Sequence, residues 1–144
     1  MTLIELLVVM GIIGMLVAIS IPGLSGYGRQ VRLKSATRQV IGLLSLARSV
    51  AISSHEEHAV VIDRDAGELK IVKVSSGEAL EHVVRLPSSV RVDLEVGGEP
   101  SAEAQLVFRP TGSLTGRTTS LILADDDRQH TILITGPTGA VSVQ

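Results

Sequence analysis

Met1-Thr-Leu-Ile-Glu5-Leu-Leu-Val-Val-Met10-Gly-Ile-Ile-Gly-Met15-Leu-Val-Ala-Ile-Ser20-Ile-Pro22 decides how the rest of the chain is read. From Leu6 to Gly28 there are 23 residues without a charge. A helix of roughly 20 apolar residues crosses a hydrocarbon core of about 30 Å, so residues 1–28 are expected to form a membrane-spanning segment. One carboxylate, Glu5, stands at its start. An acid in a bilayer costs about 2.5–3.5 kcal/mol near the centre and less toward an end, so it requires a partner. No basic residue lies within helical reach of Glu5, which leaves an α-amino group, its own or a neighbour's, as the expected partner. A secretory signal peptide fits poorly: the run is too long, no basic segment precedes it, and an acid at position 5 is out of place.

Pro22 lacks an amide hydrogen, so the bond to the Ala18 carbonyl is lost and a kink is expected there. Beyond Arg29 the pattern acquires a helical period. Leu33, Ala36, Val40, Leu43, Leu44, Ala47, Val50 and Ala51 recur at three- and four-residue spacing as one apolar stripe. Lys34, Ser35, Arg38, Gly42, Ser45 and Ser49 form the opposite face. Together the two helical parts would extend roughly 75–80 Å at 1.5 Å per residue.

After Ser54 the signals are those of strands. Ala59–Ile62 and Leu69–Val74 flank Asp63-Arg-Asp-Ala-Gly67-Glu68, a hairpin turn. Further strands are expected at His82–Leu86, Val90–Val96, Gln105–Arg109, Ser120–Ala124, Thr131–Thr135 and Ala140–Val143. They are separated by turn signals such as Gly97-Gly98, Pro110-Thr-Gly112, Asp125-Asp126-Asp127 and Gly136-Pro137. Glu99–Ala104 reads as a flexible loop. Many short strands at this spacing indicate antiparallel sheets rather than βαβ units. The expected fold is α+β: a long N-terminal helix, transmembrane and then amphipathic (29–54), packed on an antiparallel β head (55–144).

Residues 1–54 carry five Arg/Lys against Glu5, and residues 55–144 carry eight basic against fourteen acidic residues. The head is therefore acidic, which disfavours a phosphate backbone as partner. Tyr27 and Phe108 are the only Phe, Tyr or Trp side chains in the chain, too few for a base-stacking platform. There is no cysteine, hence no disulfide.

The N-terminal stretch, Glu5 and Ile19-Ser-Ile-Pro22 included, resembles the mature N-terminus of type IV pilins and type II secretion pseudopilins. Phe108-Arg-Pro110-Thr-Gly112 and the closing Ile134-Thr-Gly136-Pro-Thr-Gly139-Ala-Val141 resemble, within that superfamily, the GspH domain shared with the minor pilin FimT. The resemblance implies that a prepilin peptidase cuts before Met1 and methylates its amine. It also implies that Glu5 neutralises the terminal amine of an adjacent subunit, while Leu6 and the apolar residues after it pack into a filament core. The implied partners are other pilins or pseudopilins, the inner-membrane assembly platform and membrane lipid. The implied location is the bacterial inner membrane, single-pass, with the head in the periplasm. Arg29, Arg32, Lys34 and Arg38 follow the apolar run, and the positive-inside rule alone would place the head in the cytoplasm. The resemblance implies the reverse. FimT-like subunits bind DNA through a basic Gly-Arg tail. Here Gly139–Gln144 has no positive charge, so DNA is not an expected partner, with Arg109 and Arg117 the remaining possible contacts.

In the two turns, Pro110 and Gly112 are expected to fix a tight reversal, and Gly136 and Gly139 to supply positive φ. The chain offers little for catalysis or cofactors. His55-Glu-Glu-His58 has its histidines three apart where a helical zinc pair needs four. Asp125–Asp127 reads as an acidic hairpin tip more than a calcium loop. No Ser sits in a nucleophile elbow, and Gly97-Gly98 lacks the Lys-Ser/Thr of a phosphate loop. The reading is a non-catalytic structural subunit without cofactor or metal.

Overall fold

The computed structural model describes residues 2–20 and 22–144, and their side chains outside 19–27 and 29. Two helices come first, α1 (Leu3–Ser20) and α2 (Pro22–Ser54). Pro22 is the first described residue of α2. The two helices adjoin residue 21, so the junction of the expected span and the kink expected at Pro22 lie outside the described residues. α1 has 18 residues, about 27 Å at 1.5 Å per residue, and among the described residues no helix is long and apolar enough to cross a membrane. The chain separates into two compact units at Arg32/Leu33, four residues beyond the expected 28/29 boundary. Leu33 is the first residue of the buried stripe, and it marks where the head begins.

In the head, α2 buries Leu33, Ala36, Val40, Leu43, Leu44, Ala47 and Ala51, while Lys34, Ser35, Arg38, Gly42, Ser45 and Ser49 are exposed. The stripe and its polar complement fall where the helical period puts them, apart from Val50, which is half-buried. The strands are β1 (His58–Asp63), β2 (Glu68–Lys73), β3 (Ala79–Arg85), β4 (Arg91–Val96), β5 (Glu99–Pro100), β6 (Gln105–Phe108), β7 (Thr119–Ala124), β8 (Gln129–Ile134) and β9 (Val141–Val143). They form two antiparallel sheets, ordered β3-β2-β1-β6 and β5-β4-β7-β8-β9.

The β1–β2 hairpin closes at Asp63↔Glu68. Asp63 Oδ1 accepts from the amides of Asp65 (3.1 Å) and Ala66 (2.9 Å). One departure from expectation lies at Glu99. Gly97 and Gly98 both have positive φ, 64° and 89°, as a tight primed hairpin turn demands. The chain therefore returns along β4 as the short β5 instead of entering a loop directly. Both sheets turn apolar side chains toward α2, and Val60, Ile71, Phe108, Leu121, Leu123, Ile132 and Ile134 join the helix stripe in one core. Burying each such side chain contributes about 1.5–3 kcal/mol.

Candidate assembly site and the paired glycine turns

The start of α1 carries its own chemistry. The Thr2 carbonyl accepts from the amides of Glu5 (3.1 Å) and Leu6 (3.3 Å), which places Thr2 at the N-cap and Glu5 at the third helical position. The Glu5 carboxylate turns back, and its Oε2 accepts from the Thr2 amide at 3.3 Å. This is the carboxylate half of a capping box, and the helix dipole favours a negative charge there. The Thr-x-x-Glu spacing carried that signal, and reading Glu5 only as a charge in search of an amine overlooked it. Met1 lies outside the described residues.

Every large apolar side chain from Leu3 to Val17 is at least 50% exposed. A helix that is apolar all round is built for a non-aqueous surrounding, lipid or packed protein.

The second constellation lies in the head. The Gly112 amide donates to the Arg109 carbonyl (2.8 Å), closing a turn with Pro110 second, where its fixed φ fits. Gly112 itself has φ +80°. The terminal hairpin closes through the Gly139 amide on the Thr135 carbonyl (2.7 Å), with Gly139 at φ +61°. The two turns meet. A Cβ on Gly139 would collide with the Gly112 carbonyl oxygen, and one on Gly112 would come within 2.8 Å of Ile52 Cδ1. Arg48 of α2 reaches into the junction and donates its Nε to the Gly112 carbonyl at 3.0 Å.

Gly136 differs from expectation. It is absent from the positive-φ residues and is needed for room, since its Cβ would lie 2.9 Å from the Gly116 carbonyl oxygen. The Leu114 amide donates to its carbonyl (2.9 Å), joining the segment after the first turn to the second. The structure thus brings Pro110, Gly112, Gly136 and Gly139 into one junction. Arg48, which sequence reading passed over, holds it to the helix.

A second tie runs between α2 and β8. The buried Thr37 hydroxyl donates to the Leu33 carbonyl (2.8 Å) and stands 3.0 Å from His130 Nδ1. Its single proton is committed to Leu33, so His130 Nδ1 is the donor of that pair. Neither carboxylate cluster gathers ligands: among the described residues no group of three His, Asp or Glu side chains could hold a metal. His58 is buried with Nδ1 beside the Glu56 carbonyl (3.2 Å). Asp125 and Arg128 pair across a two-residue hairpin loop, the Asp125 amide donating at 2.8 Å.

A helix laid on an antiparallel head, preceded by a wholly apolar helix with an acid at its third position, defines a pilin-like subunit. The family model described as "Type II transport protein GspH" matches residues 36–139, and the chain belongs to the GspH family. The crystal structure of the type IV minor pilin FimU of Pseudomonas aeruginosa is similar with a TM-score of 0.68 at 18% identity, covering 82% of this chain and 92% of FimU. The minor pseudopilin EpsH of the Vibrio cholerae type 2 secretion system is similar with a TM-score of 0.63 at 20% identity, covering 78% of this chain and 96% of EpsH. At these identities the likeness is one of fold. No curated protein sequence matches the chain. Proteins of this family are structural subunits that assemble with other pilins in filaments.

Proposed function

We propose that this chain is a minor pseudopilin of a type II secretion pseudopilus, a non-catalytic subunit that helps folded proteins leave across the outer membrane. The observation that carries the reading is α1, apolar on every side and exposed from Leu3 to Val17, joined to a GspH head. Such a helix needs lipid before assembly and neighbouring helices after it. In this reading a prepilin peptidase exposes and methylates the Met1 amine. The head faces the periplasm, Glu5 pairs with a neighbour's amine at the assembly platform, and Leu6–Leu24 joins the filament core. A strain lacking the gene should retain hydrolytic exoproteins in the periplasm and lose them from the culture supernatant. An unchanged supernatant would overturn the secretion assignment.

The similarity to FimU over 82% of this chain favours a second reading, a minor pilin of a type IV pilus. Loss of surface fibres with normal secretion would select it. DNA uptake has less support, because the tail after Gly139 is uncharged. Salt-sensitive DNA binding by the purified protein would reinstate it.

A further inference from the structure

A cleft of about 720 Å³ separates the outer edge of β6 from the β4–β5 hairpin, with Glu99, Glu103, Gln105, Val107 and Arg117 among its walls. The ladder on its β6 side can be followed group by group. The Ile62 amide donates to the Ala104 carbonyl (2.7 Å), and Val60↔Leu106 and His58↔Phe108 follow in the same register. Hydrogen-bonded pairs alternate along an antiparallel ladder, so the even-numbered residues of this stretch address β1 and the odd-numbered ones face outward. Two outward groups are already taken: the Val107 carbonyl accepts from Thr115 (2.8 Å), and the Arg109 amide donates to Ser113 (2.9 Å). The Gln105 amide and carbonyl and the Val107 amide remain, directed at the cleft without an intramolecular partner among the described residues.

The facing wall offers no matching ladder. The Ser101 amide donates inward to Leu94 (2.8 Å) and Glu99 pairs with Val96. The outward-facing residue of β5 is therefore Pro100, which has no N–H.

We propose that this cleft accepts an extended strand of a neighbouring filament subunit, which adds to the sheet at β6. The proposal rests on the reading of the chain as a filament subunit. A strand residue spans about 3.3 Å along the chain, 4.8 Å across the ladder and 10 Å between sheet faces, so the volume holds four or five residues. Glu99 and Glu103 make no ion pair among the described residues, and neither does Arg117. A strand with a basic side chain toward the 99–103 wall and an acidic one toward Arg117 completes both. So short a ladder binds weakly on its own, and it becomes effective for a partner held at about millimolar local concentration, as an adjacent subunit is. The other free edges lack this enclosure: β3 is largely exposed, and β9 is three residues long.

The test uses the full chain in detergent micelles and a synthetic peptide, acetyl-Lys-Val-Thr-Val-Glu-amide, against its analogue N-methylated at alternate residues. The expected result is saturable shifts of the Gln105 and Val107 amide cross-peaks, with exchange slowed about tenfold at near-millimolar peptide. The N-methylated analogue should do nothing. Gln105→Pro should abolish the effect, and Glu99→Lys with Glu103→Lys should transfer the preference to a peptide with Glu in place of its Lys. Silent Gln105 and Val107 amides, or equal effects from the N-methylated analogue, would overturn the proposal. Either result leaves the assembly reading standing, because that reading is tested separately by secretion and at Glu5.

Discussion

Gly139→Ala should be among the most damaging single substitutions in the head, and its cost can be assembled from the junction. An L-residue with φ near +61° loses about 1–2 kcal/mol relative to glycine. The new Cβ then overlaps the Gly112 carbonyl oxygen and lies 3.3 Å from Arg48 Nε. Separating the buried Gly112 and Gly139 by this much is overpacking, about 1–3 kcal/mol. The shift also endangers the Arg48–Gly112 hydrogen bond, a charge-assisted one worth about 1.5–3 kcal/mol. The sum is about 3.5–8 kcal/mol.

Gly77→Ala supplies the control, since Gly77 has φ +71° and nothing within 4 Å of an added Cβ. That substitution should incur the backbone term alone. Thermal unfolding of the full chain in micelles, followed by far-UV circular dichroism, reads the difference. At roughly 4 °C per kcal/mol, Gly139→Ala should melt about 10–24 °C below Gly77→Ala. Melting temperatures within about 3 °C of each other would refute the idea that close approach, rather than backbone conformation, makes Gly139 necessary.

Arg48→Ala leaves the buried Gly112 carbonyl short of its charged donor and should lower stability by about 1.5–3 kcal/mol, with Arg48→Lys failing to restore it; the same melts decide. Thr37→Val and His130→Ala should each cost about 1 kcal/mol, and a double-mutant cycle in denaturant should show the two losses to be non-additive. Glu5→Gln keeps an oxygen for the Thr2 amide but removes the charge, whereas Glu5→Ala removes both. If pairing with a neighbour's amine drives assembly, both variants should insert in the membrane and both should be lost from sheared filaments. Incorporation of Glu5→Gln at the wild-type level would instead assign Glu5 a capping role.

The helical period and the strand alternation were legible because burial writes them directly into the spacing of apolar residues. Leu33 to Ala51 and the pattern of β7 are examples. What the pattern did not carry was which strands share a sheet. Turn signals between consecutive strands look alike whether the chain stays in one sheet, as from β1 to β3, or changes sheet, as from β3 to β4 and again into β6. Side-chain ties across long separations were equally silent. An arginine in a helix reads as solvated, so nothing local marked Arg48 as the donor to a carbonyl 64 residues away, and Thr37 with His130 posed the same difficulty. The glycines were legible as turns but not as neighbours, and Gly136 was assigned positive φ when its role is close approach. The Glu99–Pro100 return could have been found, because two glycines ahead of it are themselves a hairpin signal.

The Thr2–Glu5 contact changes what the assembly argument has to explain. A carboxylate has two oxygens and about four acceptor sites, so one amide leaves room for a further donor. The amide lies in the same turn of helix as Glu5. It is available to a lone subunit in lipid and to one packed among others, and so it lowers the cost of the carboxylate equally in both. A term common to two states shifts no equilibrium between them; only a differential interaction does. The amide is also neutral, so it solvates the charge without cancelling it, and the residual cost in an apolar surrounding persists until a cation arrives. On the proposed reading that cation is supplied by the adjacent subunit and belongs to the assembled state alone. On that reading the driving force at Glu5 is the neutralisation, and the capping bond sets the rotamer from which the carboxylate meets it.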